Sequence, residues 1–140
     1  MRAIDRLGTF ERLKHSLQLL ACPAEVQLNL LPSFVCKADE LALGFNQWRL
    51  VAVDNFRSEL TASQLSCLDA IDGSLSELTN MGSEHWTDDA VRTSTEWQGI
   101  RALAAAALAP FGWPKEAPPS HADEYVGADG PQGQDDSDLR

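Results

Sequence analysis

Apolar residues recur along this chain at helical spacing, and the alternating spacing of a strand is almost absent. Ile4, Leu7, Phe10, Leu13 or Leu17, and Leu20 follow one face of a first helix. Gly8 weakens that helix locally, by about 1 kcal/mol relative to alanine. Cys22-Pro23 ends it, because a residue before proline avoids the helical region, and Pro23 can open the next helix as a first-turn residue. A short helix is predicted over residues 24–31, carrying Val26, Leu28, Leu30 and Leu31, with Pro32 interrupting it. Ser33 is placed to cap the third helix.

The clearest stripe comes next. Phe34, Ala38, Leu41, Phe45, Trp48 and Ala52 step by four and three in alternation, which predicts one helix roughly 30 Å long. Lys37, Asp39, Glu40, Asn46, Gln47 and Arg49 lie off that stripe, and Asp54-Asn55 closes it. Thr61 then begins a capping box with Gln64, followed by Leu65, Leu68, Ile71, Leu75 and Leu78, with Gly73 a soft spot and Asn80-Met81-Gly82 the stop. Thr87 caps a further start, with Asp88 and Asp89 in its first turn, where carboxylates suit the helix dipole. Trp86 and Val91 bracket that start at the spacing of a hydrophobic staple. Ser94 caps the last helix, whose stripe is Trp97, Ile100, Leu103 or Ala104, Ala107, Leu108 and Phe111, stopped by Pro110 and Gly112. Val51-Ala52-Val53 is the nearest thing to a strand and is too short. The expectation is an all-α bundle of four main helices plus one or two short ones.

Composition divides the chain near Pro114. Residues 1–113 hold the periodicity and all four tryptophans, and form the expected bundle domain. Residues 114–140 are rich in Pro, Gly and Asp, with Tyr125, Val126 and Leu139 as their only sizeable apolar side chains. Such a segment cannot offset ordering costs of about 1–2 kcal/mol per residue, so a disordered acidic tail is expected.

The formal charge is -10, from 21 acids against 11 lysines and arginines. A negative field repels nucleic acid and anionic membrane and attracts basic partners. Half of the excess lies on the tail, so the body is only moderately acidic. The early charges Arg2, Asp5, Arg6, Glu11, Arg12 and Lys14 leave no room for the apolar middle of a signal peptide. The alanine-rich run 102–113 is too short to span a bilayer. Both point to a cytoplasmic protein. Cys22, Cys36 and Cys67 form no ligand pair at zinc spacing and read as thiols in a reducing compartment.

Candidate chemistry is sparse. Glu84, His85, Asp88 and Asp89 cluster at a helix start, but a helix N-terminus repels cations, so capping with solvated carboxylates is the expectation. His15 lies away from the first apolar stripe and His121 lies in the tail. No nucleophile elbow, phosphate-cradling glycine loop or HExxH pattern occurs, so no catalytic residue, metal or cofactor is assigned. The bases of the first helix are expected to pair with acidic faces of neighbouring helices rather than to bind nucleic acid. Trp48 and Trp97 are expected in the core, and Trp113 is expected to fold back over it.

The stretch from Leu30 to Leu43 (LLPSFVCKADELAL), followed by Trp48, and the ending from Ala109 to Pro114 (APFGWP) resemble small acidic bacterial proteins. Some of that class look like immunity proteins, which neutralise a cognate antibacterial toxin. The resemblance covers roughly residues 24–114. It implies a binding protein whose contact surface is peculiar to each pair, so it carries over no site residues. The first expectation is therefore a non-catalytic protein that neutralises a basic toxin domain through an acidic surface. The acids flanking the stripes are the candidates for that contact: Asp39, Glu40, Asp69, Asp72, Glu84, Asp88 and Asp89. A second expectation is a structural or regulatory helical module, monomeric or homodimeric, the homodimer burying the 34–52 stripe between copies. A third is an enzyme with a dispersed site, or a metal protein using His85.

Overall fold

Helix α1 (Arg6–Ala21) is the axis on which the rest of the fold packs. The computed structural model describes residues 5–119: the first residues of the expected tail, 114–119, are placed against the body, and the rest of it lies outside the described residues, as does Ile4. Leu13, Leu17 and Leu20 of α1 are fully buried, with Thr9, Gln18 and Ala21 beside them. The apolar stripe therefore starts later than its sequence spacing suggests. Leu7 is 73% exposed, on the side of α1 away from the buried Thr9, and Phe10 is only partly buried, against Phe56.

Cys22 ends α1, and Pro23 occupies the cap of α2 (Ala24–Leu30) rather than its first turn. Residues 31–36 turn without helix, so the long third helix, α3 (Lys37–Phe56), starts later than Ser33 would set it. Cys36 stands at its cap position, with no side-chain cap bond. Phe34 consequently leaves the stripe and is 59% exposed, whereas Ala38, Leu41, Phe45 and Ala52 are buried. Trp48 is partly buried, under the guanidinium of Arg12. Asp54-Asn55 does not close the helix; it runs on to Phe56 and is followed by a single 3-10 turn, Arg57–Glu59.

The remaining helices start where their caps predict. Thr61 and Gln64 form the reciprocal capping box of α4 (Ala62–Met81), which buries Leu68, Ile71, Leu75 and Leu78 and passes through Gly73 without a break. Gly82 ends it at φ 121°, a conformation that excludes a side chain, and a 3-10 turn, Ser83–His85, follows. Thr87 caps α5 (Asp88–Thr93), and Ser94 caps α6 (Thr95–Phe111). Pro110 sits in the last turn of α6, and the helix terminates at Gly112, whose φ of 72° is left-handed. Trp113 then turns back: its ring stacks on Phe111 with centroids 4.3 Å apart, and the pair covers the core. The chain continues over α1, where Gln18 donates to the Pro114 carbonyl at 3.0 Å, and Pro118 is buried.

The architecture is all-α: four long helices, two short ones and, among the described residues, no strand. The spatial order of the long helices is α3, α1, α6, α4, with α1 packed on α3 and on α6, and α6 packed on α4. The fourth seam of the bundle differs. Although α3 and α4 are consecutive long helices, they touch little along their length. Among the described residues no helix is long and apolar enough to cross a membrane.

Candidate functional site

The faces that α3 and α4 turn toward each other explain why they stay apart. Along α3, Asp39, Ala42, Leu43 and Asn46 fall on one side of the helix, and along α4 so do Asp72, Leu75, Ser76 and Thr79. Carboxylates, an amide and hydroxyls take positions that would be apolar in a closed seam. Burying them without partners costs about 1–3 kcal/mol each, so the seam remains open to water. The result is a groove of ≈ 790 Å³. Cys36, Gly82, Ser83 and Trp86 close one end of it.

Arg49 ties the two walls together. Its guanidinium donates to Asn46 Oδ1 at 3.0 Å and pairs with Asp72 Oδ1 at 3.3 Å. At the other end the Cys36 thiol donates to the Trp86 carbonyl at 3.7 Å. The Trp86 indole N–H reaches the Leu78 carbonyl at 3.4 Å, and its ring meets Trp97 edge-on, with centroids 5.6 Å apart. The ring that the staple pattern assigned to Val91 is thus held by α4 and α6, and it forms a half-buried wall of the groove.

The candidate acids separate into distinct places. Asp39 and Asp72 share the groove. Asp39 has no ion pair among the described residues, whereas Asp72 is neutralised in part by Arg49. Asp69 is exposed nearly one turn before Asp72 on α4. Glu84 is at the rim, where its carboxylate leans over Gly82 closely enough that a Cβ there would meet Oε1 at 2.6 Å. Asp88 and Asp89 stand exposed in the first turn of α5, outside the groove lining.

Glu40 is half-buried beside Asp39. Loss of water, and then the neighbouring Asp39 charge, push its pKa above the ordinary glutamate value. A raised folded-state pKa means that the native state holds the proton more tightly than the unfolded chain. Stability is therefore lost as pH rises from the unfolded value through the folded one. Glu40→Gln is expected to raise the melting temperature slightly at pH 7 and to have no such benefit in acid. Thermal unfolding followed by circular dichroism at both pH values checks this, and a loss of stability at neutral pH would count against it.

The His85 ring lies 3.9 Å from Glu84, and the His85 backbone carbonyl accepts the Trp97 indole N–H at 2.8 Å. Among the described residues no three His, Cys, Asp or Glu side chains come together as a metal site. Cys22 is buried, which pushes its thiol pKa up against the opposing charge of Lys115.

The cations are largely occupied. Arg6 pairs with Glu59, Lys14 with Glu11 at 3.2 Å, and Arg92 with Glu25 at 2.9 Å. Lys37 donates to the Leu28 carbonyl at 2.6 Å, and Arg101 to Gln27 and the Val91 carbonyl. Of the first-helix bases within the described residues, Arg6 bridges to a carboxylate of another element, Lys14 pairs within α1, and Arg12 lies over Trp48. Ala38, Leu41, Phe45 and Ala52 of the α3 stripe face the chain's own core, Trp48 packs partly against it, and Phe34 stands exposed.

Sequence reasoning did not single out Leu43 or Leu50. Both are apolar residues on the polar side of α3, 59% and 41% exposed, and seven positions apart. That spacing on the wrong face was the signal available. The chain matches no family model, no curated protein and no solved structure.

Proposed function

We propose that this protein is a non-catalytic binding protein that engages a basic protein partner through its carboxylates. The resemblance to immunity proteins makes a toxin domain the partner of choice. One observation carries the reading: most described cations are tied to partners within the fold, while Asp39, Asp69, Asp88 and Asp89 stand at the surface without ion pairs among the described residues. A surface of that kind keeps its negative field for a partner. The field steers a cationic surface toward it and sets the register once the two meet.

The test is calorimetric titration of the full chain with the product of the gene beside its own. Binding is expected to weaken as salt rises, and by at least about tenfold when Asp39 and Asp69 are both changed to lysine. A basic neighbour that does not bind, or binding indifferent to salt and to both substitutions, refutes the reading.

A further inference from the structure

The open seam adds a shape to that charge. Three seams of the bundle are closed by apolar side chains, and the fourth, between α3 and α4, carries a groove of ≈ 790 Å³. Its floor includes Leu75, which is 7% exposed, and one wall ends in Trp86. On the α3 side Leu43 stands 59% exposed at the lip, and Leu50 is 41% exposed two turns further on. The groove lining contains two carboxylates: Asp72, which Arg49 neutralises in part, and Asp39, which has no ion pair among the described residues. Asp69 and Glu84 add negative charge beside it.

Building on the proposed basic partner, we infer that this seam receives a cationic amphipathic helix of that partner. Its apolar residues would lie against Leu43, Leu75 and Trp86, and its lysines or arginines would meet Asp39 and Asp72. A helix laid in a groove presents its apolar face to such side chains and leaves its charged flanks for the carboxylates of the rim. Such a helix completes the fourth seam of the bundle and exchanges water at polar faces for charge-assisted contacts. The chain's own last residues do not fit. Residues 120–140 carry six acids and one arginine, the same sign as the groove.

The experiment is an NMR titration of the full chain with two designed peptides of about 18 residues, an amphipathic lysine–leucine helix and its glutamate–leucine counterpart. The lysine peptide is expected to shift the amides of Asp39, Leu43, Asn46, Ser76 and Thr79 and the Trp86 indole, and the glutamate peptide to leave them still. Leu43→Ser and Asp39→Lys each weaken the lysine peptide by about tenfold, and Asp88→Lys does not. Leu43 is exposed, so an unchanged melting temperature shows that Leu43→Ser still folds. Shifts that map to α5 or α6, no shifts in the seam, or equal binding of both peptides overturn the inference. The basic neighbour supplies the second arm. If it binds the parent protein and Leu43→Ser alike, the seam assignment fails and the proposed function stands. If the lysine peptide fills the seam while no basic neighbour binds, the proposed function fails and the seam assignment stands.

Discussion

Replacing Trp97 with alanine is expected to lower the unfolding free energy by about 3–5 kcal/mol. Trp97 is 0% exposed and is the largest fully buried side chain of the core. Its indole N–H donates to the His85 carbonyl at 2.8 Å, and its ring receives the edge of Trp86. Alanine opens a cavity that α6 cannot close, because Ile100 on the same stripe is already packed and Ser94 caps the helix through the Trp97 amide. Marginal domains have about 5–15 kcal/mol in all, so the variant is expected to approach unfolding at room temperature. Urea denaturation followed by circular dichroism measures the loss without depending on the altered fluorescence. Trp97→Phe keeps most of the volume and forfeits the bond to His85, so it should lose much less. A loss below about 1 kcal/mol for the alanine variant would show that the core does not centre on this ring.

Gln27→Leu is expected to cost about 2–3 kcal/mol, although the new side chain is apolar and of comparable volume. Gln27 is 0% exposed and lies inside α2. Its Nε2 donates to the carbonyls of Leu19 at 3.1 Å and Leu20 at 2.9 Å, which are left over at the C-terminal end of α1. Its Oε1 accepts from Arg101 at 3.2 Å. Leucine removes all three bonds. The Leu19 carbonyl keeps the Cys22 N–H at 3.1 Å, so the Leu20 carbonyl carries most of the loss on that side. Arg101 keeps the Val91 carbonyl at 2.9 Å, but burial already disfavours its charge and lowers its pKa. Losing an acceptor there is costlier than at the surface. Urea midpoints for Gln27→Leu and Arg101→Met, alone and together, separate the two halves. The double variant is expected to lose less than the sum, because the residues share one bond. A neutral Gln27→Leu would mean that the α1 terminus does not depend on this side chain.

Local chemistry was legible where it was sufficient. Thr61 with Gln64, Thr87 and Ser94 are recognisable caps in sequence, and each makes its cap bond in the fold. Both halves of such a bond lie within three residues, so no distant contact is needed to form it. Phe34 shows where periodicity misleads. It is in phase with Ala38 and Leu41, but residues 31–36 are not helical, and phase has no meaning outside a helix. Leu7 is helical and follows the steps of three in the predicted stripe, yet it is exposed while Thr9 in the same turn is buried, because repeated steps of three drift off a face that repeats every 3.6 residues.

The candidate site was legible by type and not by place. Charge and flanking position pick out Asp39, Asp69, Asp72, Glu84, Asp88 and Asp89 equally. Only packing puts Asp39 and Asp72 in one groove and sets Asp88 and Asp89 on another element. Glu40 looks equivalent to Asp39 in sequence, but the next position on a helix points about a quarter-turn away, and there it is half-buried while Asp39 is exposed. Leu43 looks like a spare apolar residue until α4 stands opposite it.

What the sequence determined by itself was the all-helical class, the four long helices and most of their caps. These follow from a repeat of 3.6 residues and from hydrogen bonds that close within a turn. The tertiary structure decided which seam of the bundle stays open. That outcome depends on α1 being gripped by α3 and α6 at once, on α6 holding α4, and on Arg49 reaching Asp72 across the gap. All of these contacts join residues far apart in the chain, and their free energies are balanced only when the helices meet.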